Sequence, residues 1–311
     1  RWNGSSWSPL PGAGGTNGVN HDVYCLAAFD EDGVGPGETR LIVGGRFTSA
    51  GGSACNAVAG WDGTTWSPLP LQGANGVSGG GLARVLAMTV LDGDGDGPGS
   101  ARLIVGGLFT AAGGFSCDNI ARWDGVNWSP IPGGGVDRFG LGPSPYVYAL
   151  ATFDRDDAGP AGLELIVGGA FTKAGGSACN RIASWSSSGW QPLSGRSSDG
   201  FLGTASPYVQ AIAAFDADGA GPADPQAIAG GDFTSAGGVV CNRIARWNGS
   251  AWLPLLGANG VNGVSSGTVA DVITYDPDGE GGVAPQLIVG GRFPLAGGVQ
   301  CLHVARWDGV T

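Results

Sequence analysis

A repeated phrase constrains the fold of this chain more than any other feature of the sequence. The segment Gly44 to Gly52 (GGRFTSAGG) returns in related form beginning at Gly106, Gly168, Gly230 and Gly290, so successive copies lie 62, 62, 62 and 60 residues apart. Self-similarity at a fixed period of this length indicates stacked supersecondary units. We therefore predict one repeat domain over residues 1–311 rather than two independent domains.

Each repeat contains four short β-like segments separated by Gly, Pro, Asn and Asp. In the first full repeat they are Val23–Asp30, Leu41–Gly45, Ala57–Asp62 and Thr65–Leu69. Asp-Gly or Asn-Gly joins the third segment to the fourth, which favours a tight type I′ hairpin. With 62 Gly and 19 Pro in 311 residues, long helices are improbable. The pattern predicts an all-β fold, a five-bladed β-propeller with four antiparallel strands per blade.

The number of fourth segments predicts how such a ring closes. A fourth segment follows only four of the five third segments, and the fifth copy stands at the N-terminus, where Trp2–Leu10 aligns with Trp247–Leu255. We therefore expect the N-terminal strand, residues 1–10, to complete the last blade. Closure on the same ring is favoured, because a tethered strand has a high effective concentration. Donation to a neighbouring molecule, giving self-assembly into a fibre, is the alternative.

The repeat also carries a resemblance to known families. A β-strand, an apolar strand ending in Gly-Gly, and then Trp61 and Trp66 together resemble the kelch repeat, although this pair is slightly closer than usual. The fuller pattern, GG-x-F-T-x-A-GG followed by N-x-I-A-R-W-D-G and W-x-P-L, resembles repeats of uncharacterised secreted bacterial propeller proteins and of the fungal cortical cell-polarity marker family. The resemblance covers nearly the whole chain. It implies a propeller fold and says almost nothing about function.

Charge and composition exclude several function classes. The 15 basic and 26 acidic residues give a net charge of −11, which disfavours nucleic acid and anionic membrane surfaces as partners. No apolar run reaches the length of a membrane span, so we expect no membrane insertion. A single Lys and abundant Thr and Ser are typical of extracellular proteins. With only His21 and His303, and no recognisable catalytic motif, we expect no enzyme activity.

Acidic side chains concentrate in the loops between the first and second strands, which hold 17 of the 26 acids. Clustered carboxylates are the ligands that Ca²⁺ prefers. Asp92, Asp94 and Asp96 match the first half of an EF-hand-like loop, but position twelve is Leu103. We name these three aspartates as the candidate metal site and Ca²⁺ as the candidate cofactor. The alternative is a solvated Asx turn that shapes the loop.

Two loops between fourth and first strands carry the only aromatic clusters outside the repeat pattern. They contain Phe139 and Tyr146 in one loop and Phe201 and Tyr208 in the next. We expect these loops near the mouth of the central channel, where propellers commonly bind ligands. The four aromatics are therefore the candidate ligand-binding residues, and the alternative is self-packing of a compact loop.

The cysteines follow the repeat as well. Five of them recur at one position, with Cys25 as the only extra one, and the list is Cys55, Cys117, Cys179, Cys241 and Cys301. Positions related by the repeat lie too far apart for disulfides among these five. Buried packing between blades is the leading interpretation; a disulfide from Cys25 to Cys55 or Cys301, and thiols used between molecules, are the alternatives.

Together these features predict an extracellular, non-catalytic β-propeller that acts as a structural or adhesive scaffold module. A carbohydrate- or glycoprotein-binding, lectin-like module is the alternative, and a propeller enzyme is the third candidate. The expected partners are proteins or glycans at the cell surface.

Overall fold

The structure is a computed structural model, and its described part has no helix. It describes residues 1–311 except 13–14, 31–38, 72–73, 80, 82, 93–100, 139–143, 156–161, 194–199, 204–205, 219–224, 280–282 and 310–311. Two compact units are present: unit 1 is Arg1–Asp137 with Pro143–Val147, and unit 2 is Arg138–Gly142 with Tyr148–Thr311. No helix suited to crossing a membrane occurs in the described residues. The all-β prediction is confirmed for that part of the chain.

Unit 1 contains two four-stranded sheets whose strands follow one another in chain order. Sheet 1 consists of Asp22–Phe29, Arg40–Arg46, Val58–Trp61 and Trp66–Pro68. Sheet 2 consists of Arg84–Leu91, Arg102–Leu108, Ile120–Trp123 and Trp128–Pro130. Neighbouring strands pair antiparallel in both sheets. The predicted succession of four strands per repeat is therefore confirmed here.

Unit 2 contains the strands of the last three repeats. Sheet 3 consists of Tyr146–Phe153, whose first two residues count with unit 1, Glu164–Ala170, Ile182–Ser186 and Gly189–Pro192. Sheet 4 consists of Tyr208–Phe215, Gln226–Asp232, Ile244–Trp247 and Trp252–Pro254. Sheet 5 consists of Thr268–Tyr275, Gln286–Arg292 and Val304–Trp307.

Short hairpins between the second and third strands are an element that the sequence analysis did not predict. Each repeat turns at the second Gly-Gly of its phrase, where Gly51 and Gly52 have φ of 54° and 85°, a backbone conformation that favours glycine. The paired two-residue strands are Ser49–Ala50 with Ser53–Ala54, Ala111–Ala112 with Phe115–Ser116, Lys173–Ala174 with Ser177–Ala178, Ser235–Ala236 with Val239–Val240, and Leu295–Ala296 with Val299–Gln300. Other two-residue strands are Pro70–Leu71, Ala74–Asn75, Val77–Ser78, Val136–Asp137 and Phe201–Leu202.

In sheets 1 to 4 at least four consecutive residues of the second strand are buried, whereas in sheet 5 only two residues of this strand are buried. In sheet 2, Leu103, Ile104 and Val105 are almost fully buried one after another, so the strand is covered on both faces. A strand covered on both faces reads as a continuous apolar run instead of an alternating one. This explains why the phrase L-I-V-G-G recurs in the sequence.

Consecutive sheets interlock through a valine and a glycine. A Cβ added to Gly44 would lie 2.5 Å from Val85 Cγ1 of the next sheet, and one added to Gly168 would lie 2.6 Å from Val209 Cγ1. In unit 2, Gly230 is covered in the same way by Val269. At Gly44, Gly168 and Gly230 the next sheet therefore approaches too closely for any side chain.

A tryptophan supplies the second contact between consecutive repeats. Trp128 packs over Gly113, and its Nε1 donates a hydrogen bond of 2.9 Å to the carbonyl oxygen of Leu69, at the end of the preceding fourth strand. Trp252 makes the equivalent bond of 3.2 Å to Leu193. The W-x-P-L motif thus joins consecutive repeats. Its Trp donates a hydrogen bond to the preceding repeat, and the carbonyl oxygen of its Leu accepts one from the following repeat.

Sheet 5 and the N-terminal segment depart from this pattern. Sheet 5 has three strands in the described part of the chain, so four strands per sheet hold for four repeats and not for the fifth. The N-terminal residues form a local hairpin in which Trp2 bridges Trp7. Completion of the last blade by residues 1–10, the closure of the ring and the single-domain organisation stay predictions.

Candidate functional site

The hairpin turns between third and fourth strands use their acidic and amide side chains to fix the backbone. Asp62 Oδ1 accepts hydrogen bonds from the backbone N–H groups of Thr64 and Thr65, at 2.8 and 2.7 Å. Asn248 Oδ1 does the same for Ser250 and Ala251, at 3.1 and 2.9 Å. The Thr65 hydroxyl, followed by the backbone N–H groups of Thr65 and Thr64, holds the pKa of Asp62 well below its usual range. The turn carboxylates are thus part of the framework.

The predicted calcium residues are described only in part. Asp92 is half-buried at the end of its strand, whereas Asp94 and Asp96 lie outside the described residues. Within the described ranges, no group of three or more His, Cys, Asp or Glu side chains is placed to hold a metal ion. The equivalent loops of repeats four and five begin with Asx turns: Asp216 Oδ1 accepts from the Asp218 N–H and Asp276 Oδ1 from the Asp278 N–H, both at 3.2 Å. These two turns match the structural alternative.

The candidate aromatic residues occupy different environments. Phe201 is fully buried and meets Phe233 and Trp252 edge-on, with ring centroids 4.5 and 4.7 Å apart. It therefore belongs to the core and not to a ligand surface, because no external molecule reaches it in this structure. Tyr146 is half-buried, and Phe139 lies outside the described residues.

Tyr208 is the candidate that forms a cluster, and its partner was missed by the sequence analysis. Tyr208 and Tyr148 are both half-buried, with ring centroids 5.6 Å apart and planes tilted by 57°. Arg181 Nε donates a 3.1 Å hydrogen bond to the carbonyl oxygen of Pro207, next to Tyr208. Burial, and then the charge of Arg138, lower the pKa of Arg181. The alternation of side chains along a strand is the signal that relates Tyr148 to Tyr146.

Unit 1 contains a cavity, lined by both apolar and polar side chains, that the sequence did not indicate. Its volume is about 240 Å³, and His21, Arg46 and Thr48 contribute to the lining. Asn20 stabilises the backbone, because its Oδ1 accepts hydrogen bonds from the N–H groups of Thr48 and Ser49, at 2.9 and 3.1 Å. Arg46 Nε is buried and has no hydrogen-bond partner among the described residues. A guanidinium and an imidazole at one small cavity suit a ligand rich in acceptor oxygens.

All six cysteines are free thiols in the structure. Cys117 and Cys241 are buried, as are Cys55 and Cys179, whereas Cys25 and Cys301 are partly exposed. Burial raises the pKa of Cys25, Cys117 and Cys241 to about 12, which keeps these thiols protonated and unreactive at neutral pH. The placement matches the packing interpretation, and the structure pairs neither Cys55 nor Cys301 with Cys25.

Comparisons with known proteins identify no relative. No family model matches the chain, and no curated protein or solved structure matches it. The resemblance to kelch repeats stays an expectation that rests on the sequence motifs alone.

Proposed function

We propose that the chain is a five-bladed β-propeller of kelch-like repeats whose last blade is closed by the N-terminal strand. Four repeats show the four-stranded sheet, and in the described residues the fifth repeat shows the first three of these strands in the same order. The same two contacts, valine on glycine and tryptophan to leucine carbonyl, recur from sheet to sheet inside each unit. A contact that repeats in this way supports radial stacking.

We propose further that the protein is a non-catalytic, extracellular scaffold or adhesive module that binds a protein or glycan at the cell surface. The observation that carries this proposal is that the polar side chains of the turns form hydrogen bonds with the backbone. Asp62 and Asn248 cap turns, Asn20 holds backbone N–H groups, and four of the six cysteines are buried as packing residues. Side chains that bond to the backbone or pack in the core in this way are typical of a rigid framework.

A lectin-like module is the second candidate, and one specific observation favours it. Tyr148 and Tyr208 form a half-buried aromatic pair, and partly exposed rings provide a stacking surface for sugars. The cavity with Arg46 in its lining gives unit 1 a separate place for acceptor-rich groups. Calcium bound at Asp92, Asp94 and Asp96 would be compatible with either of these two functions.

Binding and turnover measured side by side test both candidates. The purified chain is applied to immobilised extracellular glycoproteins and free glycans, with Tyr208→Ala as the site variant and Tyr275→Ala, a 50% exposed tyrosine elsewhere in unit 2, as control. The scaffold proposal predicts saturable protein binding that neither variant changes. The lectin candidate predicts that Tyr208→Ala alone weakens glycan binding at least about tenfold. Catalytic turnover of the bound material would contradict both, and retention of the native protein inside the cell would contradict the extracellular assignment.

A further inference from the structure

The cavity of unit 1 has a counterpart in the next repeat, and the comparison of the two shows what is special about the first. We call the first one the Arg46 cavity; it is lined in part by Arg46, Phe47, Thr48, Asn56 and Ala57. The second cavity, of about 280 Å³, also lies in unit 1. Its lining includes the residues 62 positions further along the chain, which are Leu108, Phe109, Thr110, Asp118 and Asn119.

Ala57 distinguishes the first repeat from the three that follow. In those repeats the side chain at this position donates a hydrogen bond to a carbonyl oxygen of the segment before the next first strand; the pairs are Asn119 to Val136, Arg181 to Pro207 and Arg243 to Gly267, at 3.1, 3.1 and 2.7 Å. Ala57 has φ of 61°, close to the 64° of Asn119, so the backbone is the same. The first repeat therefore keeps the conformation of this position but has no side chain that can make the bond.

Two N–H donors at the Arg46 cavity are affected by this difference. In repeat two, the Phe109 N–H donates to Asn119 Oδ1 at 3.2 Å, whereas the equivalent Phe47 N–H meets no side-chain oxygen at Ala57. Arg46 Nε is buried and has no hydrogen-bond partner among the described residues. A buried donor without an acceptor costs free energy, and a charged one costs more. A ligand with acceptor oxygens would remove this cost.

The acidic residue nearest to Arg46 in the strand pairing is engaged elsewhere. The Cα of Asp22 pairs with that of Arg46 across the first two strands. Asp22 Oδ2, however, accepts a hydrogen bond from the Tyr24 hydroxyl at 3.2 Å and lies 3.0 Å from His21 Nδ1. The guanidinium is therefore left for an external acceptor.

The charge of the lining favours an anionic ligand. Arg46 and His21 supply a guanidinium and an imidazole, and no carboxylate belongs to the described lining. The second cavity has the opposite character, because Leu108 replaces Arg46 and Asp118 replaces Asn56. A planar guanidinium matches the two oxygens of a carboxylate. The net charge of −11 does not reverse this preference, since salt screens charges beyond about 8 Å.

The neutral part of the lining favours a sugar ring as the carrier of that carboxylate. Thr48, Asn56 and Ser78 supply hydroxyl and amide groups that can pair with sugar hydroxyls, and Phe47 and Val77 supply an apolar wall. The volume of about 240 Å³ is below the roughly 300–1,000 Å³ of pockets for drug-sized ligands. The cavity therefore suits a single ring.

An acidic peptide fits this place less well. Peptides commonly bind by adding a strand to an unpaired sheet edge. The strand that ends at the cavity, Arg40–Arg46, is already paired on both sides, with Asp22–Phe29 and with Val58–Trp61. A peptide would thus gain the contacts of one side chain and no backbone pairing along this strand.

We propose that the Arg46 cavity binds a carboxylate-bearing sugar residue, a uronic acid, of a cell-surface glycan. The carboxylate accepts from the Arg46 guanidinium and the Phe47 N–H, and the ring hydroxyls pair with Thr48 and Asn56. The ligand thereby takes the place that the Asn119 amide has in repeat two. The inference adds a ligand class to the proposed binding at the cell surface, and it rests on that proposal only for its biological setting.

Calorimetric titration of the full chain with glucuronic acid tests the ligand class. Glucose, which has the same ring without the carboxylate, is the neutral probe, and acetylated and amidated glutamate is the carboxylate without a sugar. We expect saturable binding of glucuronic acid that is at least about tenfold tighter than binding of either of the other two. Equal binding of glucose, tighter binding of the blocked glutamate, or no binding of glucuronic acid would overturn the proposal.

Three variants test the location. Arg46→Gln should lower the affinity for glucuronic acid at least about tenfold, whereas Arg292→Gln, at the same repeat position but exposed in unit 2, should leave it unchanged. Ala57→Asn introduces the amide of repeat two on a backbone conformation that asparagine accepts. It should therefore weaken binding at least about tenfold while the melting temperature stays equal or rises.

The outcomes for this site and for the proposed function are separate. Unchanged affinity in folded Arg46→Gln or Ala57→Asn would overturn the site, and Ala57→Asn alone decides if circular dichroism shows that Arg46→Gln is unfolded. Absence of binding to surface glycoproteins in the assay above, with glucuronic acid binding intact, would contradict the scaffold function and leave this site in place.

Discussion

Two glycines of unit 2 allow the contact between sheets to be measured as a free energy. Gly230 and Gly290 occupy the same position of the repeat, and neither has a positive φ. A Cβ added to Gly230 would lie 3.0 Å from Val269 Cβ, an atom whose place is fixed by its backbone, and 3.4 Å from Val272 Cγ1. A Cβ added to Gly290 meets nothing within 4 Å.

The expected effects of alanine at these positions have opposite signs. Gly→Ala at a compatible backbone stabilises by about 0.4–1 kcal/mol, because the unfolded chain loses conformational freedom. Gly290→Ala should show this gain. In Gly230→Ala the extra methyl group has no space, and overpacking costs about 1–3 kcal/mol. Since the backbone contribution is common to both variants, the difference between them, about 1–3 kcal/mol, measures the overpacking alone.

Urea unfolding of dilute protein measures this difference. The midpoints of Gly230→Ala and Gly290→Ala are compared with that of the wild-type chain, and Gly168→Ala, whose Cβ would lie 2.6 Å from Val209 Cγ1, serves as a second covered site. Gly168→Ala should resemble Gly230→Ala. Equal destabilisation by Gly290→Ala and Gly230→Ala would refute the argument, because the exposed and the covered glycine would then be equivalent.

The other predictions concern the turns, the tryptophans, the thiols and the calcium loops. Asp62→Ala should destabilise by about 1 kcal/mol at neutral pH. The pKa of Asp62 is depressed in the folded state, so the charge-dependent share of this destabilisation should be lost as pH falls below the ordinary value of 3.8 toward the folded-state pKa. In the same urea titrations, the effect of Asn248→Ala should not change with pH. Trp128→Phe keeps an aromatic ring but loses the bond to the Leu69 carbonyl, so its free energy of unfolding should fall by about 1–3 kcal/mol, and Trp2→Phe should have no effect. Alkylation without reductant should label at least four of the six cysteines after unfolding; labelling of fewer than two would contradict the free thiols. If the loop that begins at Asp92 binds Ca²⁺, millimolar Ca²⁺ should raise the melting temperature. A melting temperature that does not change on chelation would contradict calcium binding.

Local sequence determined the strands and their turns. Asp62-Gly63 and Asn248-Gly249 predicted tight type I′ hairpins. The hairpins are present, but only the glycines have a positive φ, because the Asp62 and Asn248 side-chain oxygens instead accept from the backbone two and three residues ahead. The repeated apolar run ending in Gly-Gly predicted a short strand, which is present in all five repeats. These features depend on neighbours along the chain, so one repeat is enough to specify them.

Burial depended on tertiary structure, because it is set by what packs against a residue. Val23 and Val269 stand at the same repeat position, yet one is 45% exposed and the other fully buried, since only Val269 lies over a glycine of the preceding sheet. Phe201 was predicted in a ligand-binding loop and lies in the core, because Phe233 and Trp252 enclose it from strands distant in sequence. Equivalent positions of the repeat thus differ in burial, and only the side chains that pack on them decide it.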